Sequence, residues 1–251
     1  MATPAHNLQR PAILFLPGLL CDAELWRHQL AALAPVAVCT VADLTLDDSL
    51  ETMAARAMEG LPGRFSVAAL SMGGYVAFEL LRQAPDRVAR LCLISTSARP
   101  DTPDGSRRRR GLMALVARGG RFRGVTPRLL ADLLHPANLG DAALVQEVSG
   151  MADRLGKAAY LRQQAAILAR PDSRPDLPGI GVPTLVLAGE ADVMTPPALS
   201  AEIAAGIPGA VLQCLPGAGH LPPLEQPHAV NDLLVQWFAG TVGACGRTDQ
   251  A

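Results

Sequence analysis

Ala69-Leu70-Ser71-Met72-Gly73-Gly74 is the stretch that decides the fold of this chain of 251 residues. It ends an apolar run of strand length, Phe65 to Leu70, and opens a helical pattern, Gly73 to Gln83. A serine at a strand-to-helix turn, with small residues two positions before and after it, is typical of a nucleophile elbow. The small residues let the two backbones approach, so the turn pushes the Ser71 hydroxyl outward. Ala69 stands where the motif most often has glycine. The alternative role for Ser71 is an ordinary helix N-cap.

Working outward, apolar runs of strand length alternate with helical patterns, which predicts a parallel sheet in a doubly wound α/β fold. The six predicted strands are Ala12 to Leu16, Val36 to Val41, Phe65 to Leu70, Val88 to Ile94, Val182 to Ala188 and Ala210 to Leu215. The predicted helices between and after them are Glu24 to Leu33, Ser49 to Glu59, Gly73 to Gln83, Pro197 to Ala205 and Leu224 to Phe238.

The alternation stops after Ile94, because residues 95–181 contain helical patterns and no convincing strand. We interpret this segment as a helical cap inserted into the core. The predicted cap helices are Arg107 to Ala117, Thr126 to Leu134, Ala142 to Arg154 and Lys157 to Ala169. The predicted domains are therefore an α/β core of residues 1–95 and 182–251 and a cap of residues 96–181. The polar tail, residues 240–251, is predicted to fray.

Composition excludes several classes of protein. The chain is 49% hydrophobic and 18% charged, with 22 basic and 23 acidic side chains, which is an ordinary globular balance and argues against binding to nucleic acid. No apolar run reaches the ~18 residues of a membrane span. Arg10 with the apolar run before Cys21 resembles a secretory signal, but no small residue sits just before Cys21. The five cysteines show no C-x-x-C pair, so we expect a cytoplasmic protein without a disulfide framework.

An acid and a base follow two of the later strands. A serine nucleophile needs a base, and the base needs an orienting acid. Asp192 follows the strand Val182 to Ala188, and His220 follows the strand Ala210 to Leu215, each at the edge where ligands meet open α/β sheets. Taken singly, Asp192 could be an ordinary turn residue and His220 an ordinary loop histidine. The prediction therefore depends on their order along the chain, serine, then acid, then histidine, each after its own strand. Glu190 and Asp101 are the alternative acids.

Acyl transfer also needs donors for the tetrahedral oxyanion. The backbone N–H of Met72, directly after the serine, is the first candidate. The N–H of Leu19 is the second, because Gly18 permits a turn that aims it inward. Cys21 lies two residues further and could line an acyl pocket. The remaining histidines show no metal-ligand spacing, so we expect neither a metal nor a cofactor.

The chain resembles the α/β-hydrolase superfamily, specifically its small cap-bearing esterase, lactonase and C–C hydrolase branch. The similar segments are residues 15–20 (FLPGLL), 70–74 (LSMGG), 182–192 (VPTLVLAGEAD) with 195–197 (TPP), and 217–220 (GAGH) with 225–227 (EQP). The resemblance implies Ser71 as nucleophile, His220 as general base and acid, Asp192 as its orienter, and Leu19 and Met72 as oxyanion donors.

Two departures from the family pattern, and the nucleophile itself, refine this prediction. Only ten residues precede Pro11, too few for the family's first β-hairpin, so we expect a sheet of about six strands, all parallel. Pro17-Gly18 replaces the family's common His-Gly at the oxyanion turn and leaves the backbone donor available. Ser71 argues against the relatives that use an aspartate nucleophile, namely haloalkane dehalogenases and epoxide hydrolases.

The predicted function is a cofactor-free serine hydrolase of a small or medium carboxylic ester or lactone. Residues 98–175 carry 14 basic and 7 acidic side chains, including the run Arg107 to Arg110. This run is either a solvated helix face or a patch that attracts an anionic ester or an acidic carrier protein. The pimeloyl-carrier-protein methyl ester esterases are similar in having a basic cap and give the alternative function. A ligand-binding protein that keeps the fold without catalysis is the hypothesis from another class.

Overall fold

The sheet of the described residues has six strands, all of them parallel as predicted; numbered along the chain, they lie side by side in the order 2-1-3-4-5-6. The computed structural model describes residues 10–119 and 122–240, so the predicted fraying tail lies almost wholly outside the described residues. The strands are β1 Ala12–Leu16, β2 Val38–Val41, β3 Phe65–Leu70, β4 Val88–Ile94, β5 Thr184–Gly189 and β6 Val211–Leu215. Leu70 pairs with Ile94, and Ile94 pairs with Leu187, so the central carboxyl ends lie level with each other.

Helices cover both faces of the sheet. The helices of the core are α1 Arg27–Leu33, α2 Leu50–Ala57, α3 Met72–Gln83, α7 Pro197–Gly206, α8 Pro222–Glu225 and α9 Pro227–Phe238. Alternation along β1 shows the two layers, because Leu14 packs on the side of α2, α3 and α7 while Phe15 packs on the side of α1 and α9. The predicted helix 224–238 is divided at Gln226, since Pro227 starts a new helix.

Three helices form an insertion between β4 and β5: α4 Pro103–Ala117, α5 Pro127–Leu133 and α6 Ala142–Leu168. Thr102 and Thr126 cap α4 and α5 through their side chains, each followed by proline at the first helical position. The two predicted helices 142–154 and 157–169 form one element that is broken at Gly156, whose φ of 72° is left-handed. The break turns the second half of α6 back toward the core loops that follow β1 and β2.

Candidate active site

Three predicted residues meet at the carboxyl edge of the sheet. Ser71 follows β3, Asp192 follows β5 and His220 follows β6. His220 Nε2 lies 2.9 Å from Ser71 Oγ, and His220 Nδ1 lies 2.9 and 3.0 Å from the two carboxylate oxygens of Asp192. His220 is 4% exposed and Asp192 is 2% exposed, so their hydrogen bonds are shielded from water, whereas Ser71 is half-buried.

The turn at Ser71 depends on close backbone contacts. Ser71 has a φ of 53° and a ψ of −112°, a left-handed conformation that strand-to-helix elbows impose on their serine. A Cβ added at Gly73 would lie 2.1 Å from the carbonyl oxygen of Leu16, so only glycine lets α3 approach β1 this closely. The hydroxyl of Thr96 donates to the Ser71 carbonyl at 2.7 Å and holds the turn from the β4 side.

Asp192 is held by its own loop. Its Oδ1 accepts the backbone N–H groups of Met194 and Thr195, both at 2.9 Å, and its Oδ2 accepts the Thr195 hydroxyl at 2.8 Å. Burial disfavours the charged form, but His220 and Thr195 outweigh it, so the pKa of the Asp192 carboxyl lies below its usual range. An ionised Asp192 can therefore accept a hydrogen bond from the Nδ1–H of His220, which leaves Nε2 facing the Ser71 hydroxyl.

The loop that carries His220 is fixed by Glu225. Oε1 of this buried carboxylate accepts the backbone N–H groups on either side of the histidine, from Gly219 at 2.9 Å and Leu221 at 3.1 Å. Oε2 accepts the His135 backbone N–H at 2.6 Å and the Asn138 side-chain amide at 2.9 Å. Glu225 thus ties the histidine loop to the segment after α5. From the sequence, Glu225 was marked only as part of residues 225–227, a segment that resembles the family, and this role was not predicted.

The predicted oxyanion donors, Leu19 and Met72, lie in the two segments next to the serine. Met72 begins α3, where the first N–H groups of a helix have no acceptor within it. Leu19 lies in the turn after β1, and a Cβ added at the preceding Gly18 would lie 3.5 Å from Ser71 Cβ. This turn is closed by the Cys21 N–H, which donates to the Gly18 carbonyl at 3.1 Å.

The alternative acids and the alternative nucleophile have other environments. Glu190 is exposed, and Asp101 pairs with two arginines of the insertion, Arg109 at 2.8 Å and Arg170 at 2.7 Å. Burial opposes the ionised form of Asp101, yet these guanidinium groups hold its pKa below the usual range. Burial, with the neighbouring Asp22 carboxylate, raises the pKa of the Cys21 thiol to about 12, so this cysteine is a poor nucleophile near neutral pH.

The basic run of α4 is divided between two environments. Arg109 points inward, to Asp101 and the buried Gln164, whereas Arg107, Arg108 and Arg110 are exposed. Arg107 pairs with Asp104 one turn earlier on the same helix. Apolar periodicity could not separate Arg109 from its neighbours, because the apolar side chains of α4 lie on both faces: Leu112 and Leu115 are exposed, whereas Met113 and Val116 are half-buried.

Within residues 10–119 and 122–240, no three His, Cys, Asp or Glu side chains are grouped so as to hold a metal ion. None of the helices in those same ranges combines the length and the apolar character needed to cross a membrane.

The fold and this arrangement at the strand ends match one class of protein. The Alpha/beta hydrolase family model matches residues 13–233, and the chain belongs to this family. The resemblance predicted from the sequence is confirmed.

Particular relatives are esterases and a lactonase. The chain is 31% identical over 199 residues to the pimeloyl-[acyl-carrier protein] methyl ester esterase of Nitrosomonas europaea, covering 72% of this chain and 73% of the relative. A thermophilic esterase from Thermogutta terrifontis has a similar structure, with a TM-score of 0.84 and 29% identity over 92% of this chain and 90% of that one. The enol-lactonase from Burkholderia xenovorans LB400 shares the fold, with a TM-score of 0.79 and 24% identity over 93% of each chain.

Proposed function

We propose that the protein is a serine hydrolase that cleaves a carboxylic ester or lactone through an acyl-enzyme. The observation that carries this proposal is the chain of hydrogen bonds from the half-buried Ser71 Oγ through the buried His220 to the buried Asp192. A serine whose hydroxyl faces a neutral imidazole, itself oriented by a carboxylate, is the arrangement that activates an alcohol for attack on a carbonyl. The esterases among the relatives of the chain support the same reaction class.

In the proposed mechanism, His220 Nε2 accepts the Ser71 proton while Oγ attacks the ester carbonyl carbon. The backbone N–H groups of Leu19 and Met72 stabilise the tetrahedral oxyanion. His220 then donates its proton to the leaving alcohol oxygen, the C–O bond breaks, and the acyl group stays on Ser71. Water then attacks the acyl carbon and gives a proton to His220 Nε2. The bond from this carbon to Ser71 Oγ breaks, the acid leaves, and His220 returns the proton to Oγ. Asp192 keeps the imidazole in the required tautomer and stabilises the imidazolium. Each step uses groups of this chain and water.

We also propose that residues 96–181 act as a cap over this site. Two contacts support the assignment: the Leu133 carbonyl accepts the His220 backbone N–H at 2.7 Å, and the segment after α5 shares Glu225 with the histidine loop. A cap in this place excludes water from the acyl side and limits the size of the substrate.

The test is initial-rate hydrolysis of p-nitrophenyl esters from acetate to decanoate by wild type and Ser71→Ala, with phosphonate labelling of both proteins. We expect wild-type turnover with a chain-length optimum, covalent labelling at Ser71, and loss of at least about 10³-fold in Ser71→Ala. Undiminished activity in Ser71→Ala would refute the mechanism. A folded wild type that hydrolyses no ester and takes no label would instead favour a ligand-binding protein.

A second candidate is an esterase for anionic or carrier-protein-bound esters. It is favoured by the exposed arginines of α4 and by the similarity to the methyl ester esterase of Nitrosomonas europaea. Rates on a dicarboxylate half-ester and on a neutral ester of equal length, measured in wild type and Arg108→Glu, separate the two candidates. A preference for the anion that falls with Arg108→Glu and with added salt favours the second one.

A further inference from the structure

Gln163 is a polar side chain of the cap that reaches into the core. It lies on the second half of α6, after the break at Gly156, and it is 0% exposed. Its Oε1 accepts the backbone N–H of Leu20 at 3.0 Å, and its Nε2 donates to the backbone carbonyl of Leu44 at 3.1 Å. One buried amide therefore bridges the loops that follow β1 and β2.

Leu20 needs such a partner because its backbone is strained. Its φ of 55° lies in the left-handed region, which is strained for an L-residue and accessible to glycine without strain. Leu20 is the third residue of the turn from Gly18 to Cys21, where a positive φ is the geometry that type II turns usually assign to glycine. A hydrogen bond from a buried side chain helps keep a leucine in this conformation.

The same turn carries the proposed oxyanion donor. The Leu19 N–H and the Gly18 carbonyl belong to one planar peptide, so the Cys21 N–H that holds this carbonyl also aims the Leu19 N–H. Gln163 holds the following peptide through the Leu20 N–H. Two successive peptide planes are thus fixed, one from within the turn and one from the cap.

Two further contacts hold α6 against this turn. Leu20 packs with Ala152 and Tyr160 of α6 in one buried cluster. Arg154 of α6 forms a bidentate ion pair with Asp22, at 2.8 and 3.1 Å. A change in the position of α6 would therefore change the conformation of the turn.

We propose that Gln163 is a positioning residue, through which docking of the cap sets the oxyanion hole. The inference rests on the proposed function of the site. Because the side chain is fully buried and both of its ends are bonded to backbone, Gln163 acts through the turn and makes no substrate contact. Movement of α6 away from the core breaks the Leu20 bond and releases the turn, so an undocked cap leaves an incomplete oxyanion hole.

The test compares three variants with wild type. Gln163→Met keeps the shape and removes both bonds; Gln163→Glu keeps an oxygen that accepts the Leu20 N–H. Gln164→Met is the matched control, because this neighbouring buried glutamine bonds to Arg109 and does not touch the turn. We would measure kcat and KM on the best p-nitrophenyl ester, the Ki of an alkyl boronic acid that forms a tetrahedral adduct on Ser71, and Tm by circular dichroism.

Gln163→Met is expected to lower kcat by about 10- to 100-fold, less than the full loss of a donor, with KM within about threefold of wild type. Affinity for the boronic acid falls in the same proportion. Gln163→Glu keeps the Leu20 bond but places an oxygen against the Leu44 carbonyl, so it recovers part of kcat. Gln164→Met stays within about threefold of wild type. A merely structural role predicts parallel losses in both Met variants, without a selective effect on the tetrahedral adduct.

The inference is overturned by a folded Gln163→Met enzyme with wild-type kcat and boronic acid affinity, or by equal losses in the two Met variants. If Gln163→Met does not fold, Gln163→Asn decides, because its shorter side chain cannot span the two loops: the same loss of kcat supports the proposal, and wild-type kcat contradicts it. Failure of the proposed function is distinct, since it would show as a wild type that is inert and unlabelled by phosphonate.

Discussion

Replacement of Glu225 tests how the histidine loop is held. The carboxylate accepts four hydrogen bonds at 2.6 to 3.1 Å, two from the amides that flank His220 and two from the segment after α5. All four partners are donors, so an acceptor-only group suits the position. Glu225→Ala removes all four bonds. Glu225→Gln keeps one acceptor oxygen and points an NH₂ group at two of the donors.

The expected loss of stability follows from the number of hydrogen bonds that each substitution removes. At roughly 1 kcal/mol net for each hydrogen bond, Glu225→Ala lowers the free energy of unfolding by about 4 kcal/mol, which places it among severe substitutions. For a chain of this size, each kcal/mol lowers Tm by roughly 2–4 °C, so we expect a fall of about 8–16 °C. Glu225→Gln should lose about half of this or more, because two donor–donor contacts replace two bonds. With the His220 loop displaced by about 1 Å, kcat should fall by about 10²-fold in Glu225→Ala.

The assay is urea denaturation and thermal unfolding, together with ester kinetics on the folded fraction. Glu59→Gln is the control, since Glu59 is exposed and surface substitutions usually change stability by less than about 0.5 kcal/mol. The reasoning is refuted if Glu225→Gln unfolds within about 1 °C of wild type and keeps its kcat, because an amide would then serve as well as a carboxylate among four donors.

Three more predictions use other contacts. Gly73→Ala would place a Cβ 2.1 Å from a backbone carbonyl of β1, so the protein should be inactive and destabilised by about 3 kcal/mol or more. The control Gly111→Ala, on the exposed face of α4, should fold normally. Wild-type activity in Gly73→Ala would contradict the geometry. The pKa of Asp101 is lower in the folded protein than its ordinary value of 3.8, so this carboxylate stabilises the fold above pH 3.8 and loses the effect as the pH falls through the folded pKa. The difference in unfolding free energy between wild type and Asp101→Asn, measured in urea, should therefore close in acid. A difference that does not change with pH argues against the ion pairs. Because the pKa of Cys21 is raised to about 12, its thiol should not react with a disulfide reagent near pH 7. The reagent should instead label the exposed Cys214 and leave ester turnover intact. Rapid inactivation with the label on Cys21 would contradict this prediction.

Local chemistry made much of the fold predictable. Threonine before proline marked the start of α5, as predicted from Thr126. The same Thr-Pro pair starts α4 at Pro103, but the predicted start at Arg107 missed it, and Pro227 begins α9 by the same rule. Strand ends were less well predicted, since β2 begins at Val38 and β5 at Thr184, each two residues later than the apolar run suggests. Apolar residues in the approach to a strand look the same as those within it, because hydrogen-bond pairing sets the boundary.

The residues that support the site could not be found by pattern. Glu225 and Gln163 are polar residues in helices, and sequence alone gives no sign that their partners lie up to 143 residues away. Arg109 has the same neighbours in sequence as the exposed Arg108, yet it turns inward to Asp101. Only Asp192 carried a local signal, because an aspartate three residues before a threonine is typical of a turn closed by side-chain bonds.

The sequence by itself determined the order of strands and helices, and this order was sufficient to bring Ser71, Asp192 and His220 to one edge. In a parallel sheet every strand runs the same way, so residues that follow strands collect at the carboxyl edge. The tertiary structure decided the 2.9 Å contact between Ser71 and His220, the four bonds of Glu225 and the reach of Gln163 across the turn after β1. These contacts join segments that are far apart in the chain, and such packing leaves no periodic pattern in the sequence from which it could be predicted.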